Sequence, residues 1–519
     1  MSYIQFKKGI FTLTGLLCLV TSVSNLQAQN KRPNILVIMG DDIGLSNLGC
    51  YGGDIMGVPT PNIDGLARQG LKLTTFYGQP SCTAGRAAFI TGQLPIRTGM
   101  TTVGVPGSDI GLQPEDPTLA DILKSKGYST AQFGKNHLGD LEKFLPHRHG
   151  FDVFWGNLYH LNANEDPEDR DRPADPEYKK KYDPRGVISG TANGPTVNEG
   201  PLTTERMKTY DEEILAKTEG YIKTQASSNK PFFVWYNPSR CHVFQHLKKE
   251  DIGVSRASKN GEDTYGDALA KHDKEVGELL KQLDDLKLTD NTIVIYTSDN
   301  GPYQYMWPEG GTSPFRGDKG TTWEGGVRVP CIIRWPGKVQ AGTQNSEIVS
   351  LEDLFVTLSS IAGEPDVAEK LKNGTTYNGK KFKVLLEGVD QTDLLMGKGP
   401  SKRNYYFYYD ETNLTAIRYN QFKLVFSSKR EGKWDDELQP YGRALLVDLL
   451  MDPYERRTND DITRQLAEHK GWVFPPILDL MEKHLISFKE FPPRQKPMSG
   501  DFTKMIEGMM IQLKVENKD

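Results

Sequence analysis

The segment NILVIMGDD, residues 34–42, is an apolar run that ends in two adjacent aspartates. Its first six residues are almost continuously apolar, which is typical of a strand buried on both faces. Three runs of the same kind follow along the chain, namely PFFVWY (231–236), TIVIYT (292–297) and CIIRW (331–335). We predict that each of these runs is a buried β-strand.

Segments with helical periodicity lie between these strands. DPTLADILKSKG has Pro117 near a helix start and Gly127 as a stop, and both YGDALAKHDKEVGELLKQLDDLK and LEDLFVTLSSIAG are amphipathic. Strands that alternate with helices predict an α/β domain with a mostly parallel sheet. Residues 160–205 are rich in Pro, Asp, Asn and Gly and are interpreted as a long surface excursion.

The pattern changes after about residue 400. NYYFYYDETNLTAIRYNQFKLVFSS is typical of antiparallel strands joined by turns, and a helix is predicted around Pro476–Phe488. A chain of 519 residues also exceeds the size at which one hydrophobic core keeps growing. We therefore predict a large α/β domain at residues 29–395 and a smaller α+β subdomain with an antiparallel sheet at residues 396–519.

The amino terminus has the pattern of a secretory signal peptide. Lys7 and Lys8 precede an apolar stretch from Gly9 to Val20, and the small residue Ala28 suits a cleavage position. The apolar stretch is too short for a comfortable membrane span. We predict that residues 1–28 are removed, that the protein is exported to the periplasm or secreted, and that it has no integral membrane span.

Charge and cysteine content limit the partners and the chemistry. The formal net charge is −5, so nothing indicates a nucleic acid or an anionic membrane as a partner, and attraction for an anionic substrate has to be local. The five cysteines show no close metal-ligand spacing and are too few for a disulfide framework in so long a chain.

Two of the predicted strands end in polar pairs. Asp41 and Asp42 follow the first run, and Asp299 and Asn300 follow TIVIYT. Ligands gather beyond the carboxyl ends of strands in an α/β sheet, and hard oxygen ligands suit Ca²⁺ or Mg²⁺. Acids at strand ends are also common as turn and cap residues, but two pairs together favour a cation site.

Three further segments offer chemical groups. GYSTAQFGKNHLGD supplies Lys135 and His137, NPSRCHVFQHL supplies His242 with His246 as a rival, and FRGDKGTTWEGGVRVP places Lys319 between glycines. Glycines let a loop approach a ligand closely and free a lysine to reach an anion. A solvated lysine, a structural histidine or a plain surface turn remains the alternative for each segment.

The segment QPSCTAGRAAFITG, residues 79–92, holds one cysteine between two hydroxyl residues before an apolar run typical of a helix start. Cys82 could be half of a disulfide, a core residue or a nucleophile. A helix amino terminus stabilises anions and lowers the pKa of a thiol, and Arg86 lies one turn further on. This context favours a reactive position over a core position.

At this point the chain resembles the type I sulfatases. CTAGR matches the C-x-[PA]-x-R core of that family, and GYSTAQFGKNHLG, NILVIMGDDIG, IVIYTSDNG and KGTTWEGGVRVP resemble its other blocks, in the family's order. The departures are Ala84 where proline is commonest, Gly85 where a small hydroxyl residue is usual, and Asn136 where tryptophan is usual. The resemblance implies an alkaline-phosphatase-like fold, with a large mixed sheet between helices.

The resemblance also implies the chemistry. A separate maturation enzyme would oxidise Cys82 to Cα-formylglycine. One hydroxyl of its hydrate attacks the sulfur and displaces the alcohol, and deprotonation of the other hydroxyl then expels sulfate and restores the aldehyde. Ca²⁺, with Mg²⁺ as the alternative, would be held by Asp41, Asp42, residue 82, Asp299 and Asn300. The remaining implied roles are Arg86 on the diol, Lys135 and Lys319 on the sulfate, His137 as base, and His242 as proton donor shared with Lys319.

Three aspartates against the cation, Arg86, Lys135 and Lys319 leave the predicted pocket positive, which suits a sulfate ester. Aryl sulfates, sulfated glycans and small alkyl sulfates all fit this interpretation. Two other classes stay open, namely a phosphoester or phosphonate hydrolase of the same superfamily and a non-catalytic carbohydrate-binding protein. The substrate contacts suggested from loop sequences are Tyr159, His160, Trp307 and Arg316, with surface packing as the alternative for each.

Overall fold

The computed structural model of the protein describes residues 32–53, 55–228, 230–256, 262–458 and 461–500, without the side chains of residues 461 and 462. The predicted signal peptide, residues 1–28, lies outside these residues. Within them, every helix is too short or too polar to cross a membrane.

The strands of the described residues are numbered in chain order. They are β1 (Asn34–Gly40), β2 (Leu71–Leu73), β3 (Phe76–Tyr77), β4 (Ser129–Gly134), β5 (Val153–Asn157), β6 (Val187–Thr191), β7 (Val197–Asn198), β8 (Phe232–Asn237), β9 (Thr292–Ser298), β10 (Cys331–Arg334), β11 (Thr343–Asn345), β12 (Val349–Ser350), β13 (Thr375–Tyr377), β14 (Lys380–Phe382), β15 (Tyr405–Asp410), β16 (Asn413–Tyr419), β17 (Phe422–Lys429) and β18 (Leu438–Asp448).

The α-helices of the described residues follow the same numbering. They are α1 (Gly49–Gly52), α2 (Pro61–Gln69), α3 (Cys82–Thr91), α4 (Pro95–Thr98), α5 (Leu119–Ser125), α6 (Leu161–Glu165), α7 (Pro176–Tyr182), α8 (Thr204–Ser228), α9 (Thr264–Asp285), α10 (Glu324–Val327), α11 (Leu351–Ile361), α12 (Val367–Asn373), α13 (Thr392–Leu395), α14 (Asp461–His469) and α15 (Phe474–Ser487).

The main sheet of the described residues has ten strands in the order β11-β2-β10-β9-β1-β8-β4-β5-β6-β7. Its centre, from β9 to β5, is parallel, and antiparallel strands flank this block on both sides. The register of β1 pairs Ile35 with Phe233 on one side and with Ile293 on the other. This confirms the prediction of a large, mixed and mostly parallel sheet.

The central strand β1 shows why the sequence pattern is continuously apolar. Ile35, Val37 and Met39 pack into one helix-covered core, and Leu36 and Ile38 pack into the other. All five side chains are fully buried. Because successive residues of a strand point to opposite faces, the middle of a strand covered on both faces favours apolar side chains at every position.

The topology brings the predicted polar residues together. The parallel strands β9, β1, β8 and β4 are consecutive neighbours, so their carboxyl ends lie at one edge of the sheet. The segments that leave this edge begin with Asp299, Asp41, Pro238 and Lys135, respectively.

The four strands β15 to β18 form a separate antiparallel sheet, as predicted. One face packs under helix α15, with Phe407, Leu424 and Ile477 in a shared cluster. On the other face, Tyr408 of this sheet packs with Trp323 of the main domain. The small sheet therefore lies between its own helix and the loop that carries Lys319.

Candidate active site

Asp41 lies directly after β1 and is fully buried. Lys135 donates a hydrogen bond from Nζ to Oδ2 of Asp41, and the Nη2 atom of Arg86 lies 3.7 Å from the same oxygen. Burial raises the pKa of Asp41, but the attraction of Lys135 and then of Arg86 outweighs it, so the pKa lies well below its usual value. Asp41 is therefore a carboxylate at neutral pH.

Asp42 joins several parts of the site. Its backbone is left-handed with φ 57°, an uncommon conformation that turns the chain sharply at the end of β1. Its carboxylate accepts hydrogen bonds from Asn300 Nδ2 at 2.7 Å and from Lys319 Nζ at 2.8 Å. The Sγ atom of Cys82 lies 3.7 Å from Oδ1.

Asp299 follows β9 and is also fully buried. It accepts a hydrogen bond from Nε of Arg86 at 2.9 Å. Burial, with the negative charge of Asp41, raises the pKa of Asp299 to about 7 despite this arginine. The cationic side chains nearby therefore do not fully stabilise the negative charge of the three buried carboxylates.

The donor set fits a hard divalent cation. One ligand-type atom from each of Asp41, Asp42, Cys82 and His242 lies within 4.8 Å of the others. Within the described residues, Oδ1 of Asp41 and Oδ1 of Asn300 are buried without a hydrogen-bond partner. Such oxygens are costly to bury alone and are the ligands that Ca²⁺ and Mg²⁺ prefer. The cluster includes His242, which was not among the predicted ligands, and does not include Asp299, so the predicted ligand set stays a prediction.

Cys82 is the first residue of α3 and has no exposed surface. The sequence interpretation that the helix terminus lowers its pKa does not hold, because burial raises the pKa of this thiol well above its usual value against the attraction of Lys135 and Lys319. A buried, protonated thiol is a poor nucleophile. The free cysteines of the described residues also include Cys50, Cys241 and Cys331, so Cys82 forms no disulfide.

Gly85 explains one departure from the family pattern. It lies one turn into α3, where a Cβ atom would come within 2.2 Å of the carbonyl oxygen of Asp299. The absent side chain lets α3 pack directly on the segment after β9. This contact places the backbone of α3 directly against the backbone of Asp299.

We expect Gly85→Ala to lower the melting temperature by several degrees, because the clash outweighs the gain in helix propensity and costs about 1–3 kcal/mol. Gly220→Ala in α8 is the matched control, since a Cβ there meets nothing within 4 Å. Thermal unfolding followed by circular dichroism checks both variants. Equal melting temperatures for the two variants would show that α3 has room to move.

Lys135 and His137 leave the end of β4 in a loop, which allows both to point into the site. Gly134 and His137 have positive φ angles of 94° and 60°. Backbone hydrogen bonds from Lys135 to Asn237 O at 2.9 Å and from His137 to Leu158 O at 3.0 Å fix the loop to the neighbouring segments. Both side chains are fully buried.

His137 is suited to accept a proton. Its Nε2 atom lies 3.1 Å from the carbonyl oxygen of Gly104, which assigns the proton to Nε2 and leaves the lone pair on Nδ1. Within the described residues, Nδ1 is buried without a partner. Burial, then the charge of Lys135, lowers the pKa of His137 well below its usual value, so the ring is neutral at pH 7.

His242 and Lys319 form a contact pair. The Nδ1 atom of His242 lies 2.7 Å from the carbonyl oxygen of Val243, and Nε2 lies 2.9 Å from Lys319 Nζ. Burial, then the charge of Lys319, lowers the pKa of His242 well below its usual value. The carboxylate of Asp42 outweighs burial and raises the pKa of Lys319 above its usual value. Lys319 is thus the protonated partner, and His242 accepts its hydrogen bond. The rival His246 instead faces Glu165 at 2.8 Å.

The loop that carries Lys319 is held from behind by β17. Lys423 donates from Nζ to Thr322 O at 2.8 Å, and Lys429 donates from Nζ to Gly320 O at 2.9 Å. We call these two lysines and the loop segment 319–323 the C-terminal clasp. Lys423 is 1 % exposed and also pairs with Glu455 at 2.7 Å, so the clasp is buried.

The suggested substrate contacts are placed differently from one another. Tyr159 is buried against His137, and His160 stacks on His242 with ring centroids 4.8 Å apart. Trp307 is 71 % exposed. Arg316 stacks on Trp323 and donates to Arg430 O, so it belongs to the packing of the loop.

The sequence interpretation missed two aromatic residues beside Lys319. Tyr303 and Trp434 lie with their rings 5.2 and 5.5 Å from its ammonium. Trp434 is a single aromatic residue in the polar segment REGKWDDELQP, and an aromatic residue in such a loop was the available indication.

Comparison with known proteins gives a consistent picture. The family model described as Sulfatase matches residues 33–364. Human arylsulfatase A is 34 % identical over 451 residues, which covers 82 % of this chain and 83 % of the relative. N-acetylgalactosamine-6-sulfatase of Canis lupus familiaris is 33 % identical over 432 residues, covering 79 % of this chain and 75 % of the relative.

Solved structures agree with the sequence relatives. The crystal structure of the PsFucS1 sulfatase from Pseudoalteromonas sp. superposes with a TM-score of 0.80 at 31 % identity, and the match covers 94 % of this chain and 96 % of that one. The match therefore extends over nearly the whole length of both chains.

Proposed function

Because the chain belongs to the sulfatase family, whose relatives are sulfuric ester hydrolases, we propose that it hydrolyses an aryl sulfate or a sulfated carbohydrate through a formylglycine derived from Cys82 and a divalent cation. One observation carries the proposal. Lys135, Lys319 and Arg86 converge with three buried aspartates around Cys82, the position at which the family pattern places the nucleophile.

In this proposal, the cation and the formylglycine lie among these residues. Asp41, Asp42, Asp299, Asn300 and residue 82 would hold Ca²⁺, with Mg²⁺ as the alternative. The cation supplies Lewis-acid stabilisation of negative charge, and formylglycine supplies a hydroxyl nucleophile when hydrated. The burial of the Cys82 thiol and its raised pKa support a modified residue over a thiolate at this position.

The side chains supply charge and fixed geometry. Lys135 and Lys319 would neutralise the sulfate oxygens, since both ammonium groups are buried and already oriented by Asp41 and Asp42. Arg86 holds Asp299 through Nε and the carbonyl oxygen of Lys135 through Nη1. It would therefore orient the acids and Lys135 as well as residue 82.

His137 and the pair of Lys319 with His242 carry out the proton transfers in this proposal. His137, with a neutral ring and a buried lone pair on Nδ1, would accept the proton that is removed for sulfate release. Lys319 carries the proton nearest to His242 Nε2, so the leaving oxygen would receive its proton from Lys319, with His242 as the neighbouring acceptor. The distance of 2.9 Å between Nζ and Nε2 supports proton exchange between the two.

We further propose that the protein is exported and that a maturation enzyme reads the segment around Cys82. The amino-terminal sequence pattern supports export, and the intact C-x-A-x-R core supports maturation.

The test compares matched esters of the same alcohol on matured protein. 4-Nitrophenyl sulfate is expected to be hydrolysed with at least about 100-fold higher kcat/KM than 4-nitrophenyl phosphate, since most of the proposed ligands around residue 82 are the carboxylate and amide oxygens that Ca²⁺ and Mg²⁺ prefer. A preference for the phosphate would reject the proposal in favour of a phosphoester hydrolase.

Removal of divalent cations is expected to abolish hydrolysis and to lower the melting temperature. A cation that binds the folded state adds about 2.7 kcal/mol of stability at a hundredfold excess over its Kd. Activity and thermal unfolding after chelation, and again after addition of Ca²⁺ or Mg²⁺, measure both effects. Asp42→Asn should lose the cation-dependent increase in melting temperature. A wild-type melting temperature indifferent to chelator and to both ions would show that this acidic cluster binds no cation.

A further inference from the structure

The reacting groups are buried, so the substrate has to approach past the partly exposed side chains around them. Cys82, His242 and Lys319 are at most 4 % exposed. His160, stacked on His242, and Tyr303 with Trp434, beside Lys319, are the neighbouring rings that keep exposed surface. These rings are therefore the surfaces that the alcohol part of a sulfate ester would meet.

The indole of Trp434 packs against the loop that carries Lys319. A Cβ atom on Gly320 would lie 2.3 Å from Cγ of Trp434, so this glycine, with φ 82°, makes room for the indole against the loop backbone. The amide of the same glycine donates to Pro80 O at 2.6 Å, two residues before Cys82. The indole is thus fixed between Lys319 and the small sheet while part of its surface stays exposed.

Tyr303 extends the same surface. Its ring lies 5.5 Å from the Trp434 ring at an angle of 54°, and Tyr305 stacks beyond it at 6.4 Å. Tyr305 is 59 % exposed, so the row of rings leads from the buried ammonium of Lys319 to solvent. We call Trp434, Tyr303 and Tyr305 the aromatic wall.

The segment that follows Trp434 is acidic. Trp434 lines a cavity of about 1300 Å³ together with five carboxylates and one lysine. The carboxylates are Asp410, Glu411, Asp435, Asp436 and Glu437. The lysine is Lys429, which pairs with Asp410 at 3.4 Å. A cavity of this charge repels additional anionic groups.

We propose that the aromatic wall binds the ring of the alcohol part of the ester, and that the acidic cavity beside Trp434 excludes alcohols that carry a second anionic group. This inference rests on the proposed function and deepens it. The substrate class is a ring-bearing monosulfate, either an aryl sulfate or the sulfate of a neutral sugar, since both present a flat or C–H face to an indole.

The first experiment separates ring binding from chemistry. With matured enzyme, Trp434→Ala is expected to raise KM about 10- to 100-fold for 4-nitrophenyl sulfate and for a neutral sugar monosulfate, with little change for methyl sulfate. Trp434→Phe should keep most of the affinity because it keeps a ring. Trp472→Ala, at a tryptophan that is 57 % exposed on the small sheet's helix side, is the matched control and should behave as wild type.

A binding measurement keeps the two proposals apart. Calorimetric titration of the same esters into the Cys82→Ala protein, with and without Trp434→Ala, reports ring recognition without turnover. Absence of turnover by the wild type with a ring-dependent loss of binding would reject the proposed function and keep the aromatic wall. An equal loss of kcat on ring-bearing and methyl esters would show that Trp434 only positions Lys319 and would overturn the wall.

A separate experiment tests whether the acidic cavity excludes alcohols with a second anionic group. A sugar disulfate is expected to have at least about tenfold lower kcat/KM than its monosulfate near 0.01 M salt. The difference in kcat/KM should become smaller near 0.15 M salt, because the Debye length shortens. The double variant Asp435→Asn with Glu437→Gln should also reduce the ratio of kcat/KM between the monosulfate and the disulfate. Asp290→Asn, an exposed acid before β9 at the opposite edge of the sheet, should leave it unchanged. No effect of the double variant on this ratio would refute charge exclusion.

Discussion

Cys82→Ala is expected to lower kcat/KM for a sulfate ester by at least about 10⁴-fold while the protein stays folded. Cys82 lies against Asp42 at 3.7 Å, between the buried acids and the buried lysines. In the proposed mechanism, removal of its side chain deletes the precursor of the nucleophile and a ligand of the cation, and it leaves a cavity of only one atom. The loss of stability is therefore small compared with the loss of rate.

Three measurements make this prediction decisive. Cys331→Ala removes another fully buried cysteine, in β10, and should keep the activity. Circular dichroism should show the same fold for both variants, and mass spectrometry of the peptide around residue 82 should find formylglycine in the wild type and in Cys331→Ala. Full sulfatase activity in Cys82→Ala would rule out the mechanism.

The second large effect is expected from Lys319→Met. Lys319 is 1 % exposed, donates to Asp42 at 2.8 Å and faces His242 at 2.9 Å. Loss of this ammonium removes one charge from the sulfate pocket and the proton source for the leaving oxygen, so kcat should fall about 10³-fold for an alkyl or sugar sulfate. A nitrophenyl sulfate, whose leaving group needs no proton, should lose only about tenfold.

Folding has to be checked for this variant, because an unpaired buried Asp42 costs about 3–5 kcal/mol. Lys319→Arg keeps the charge and supports the same carboxylate, so it should restore stability more than rate. Lys281→Met, at a lysine that is 72 % exposed, controls for the substitution itself. An equal loss on esters of good and poor leaving groups would assign Lys319 to charge neutralisation alone.

The sheet and its functional edge could be predicted because local patterns decide them. NILVIM became β1, extended by Gly40, and TIVIYT became β9, extended by Ser298. A run that is almost continuously apolar is typical of a strand covered on both faces, and the residues that follow neighbouring parallel strands lie at the same edge of the sheet. The pairing of Asp42 with Asn300 at 2.7 Å follows from this rule without knowledge of either loop.

What depends on distant parts of the chain was not predictable. The pKa of Cys82 is set by burial under several segments, which a helix-terminus argument ignores. Arg316 was suggested as a substrate contact from the sequence of its loop, with surface packing as the alternative, but it stacks on Trp323 and donates a hydrogen bond to Arg430 O. Trp434 reaches Lys319 only because β17 and β18 place the hairpin between them beside the main domain.

The burial of Cys82 limits the time at which another enzyme can reach it. A side chain without exposed surface is out of reach for another enzyme in the finished fold, and the contact of Lys423 with Thr322 is part of that fold. About 340 residues separate Cys82 from Lys423 along the chain. At ribosomal rates of about 5–20 residues per second, this length is a delay on the order of tens of seconds. During this delay Cys82 has been synthesised whereas the strand that holds the Lys319 loop has not, and we expect the proposed maturation of Cys82 to take place in this interval.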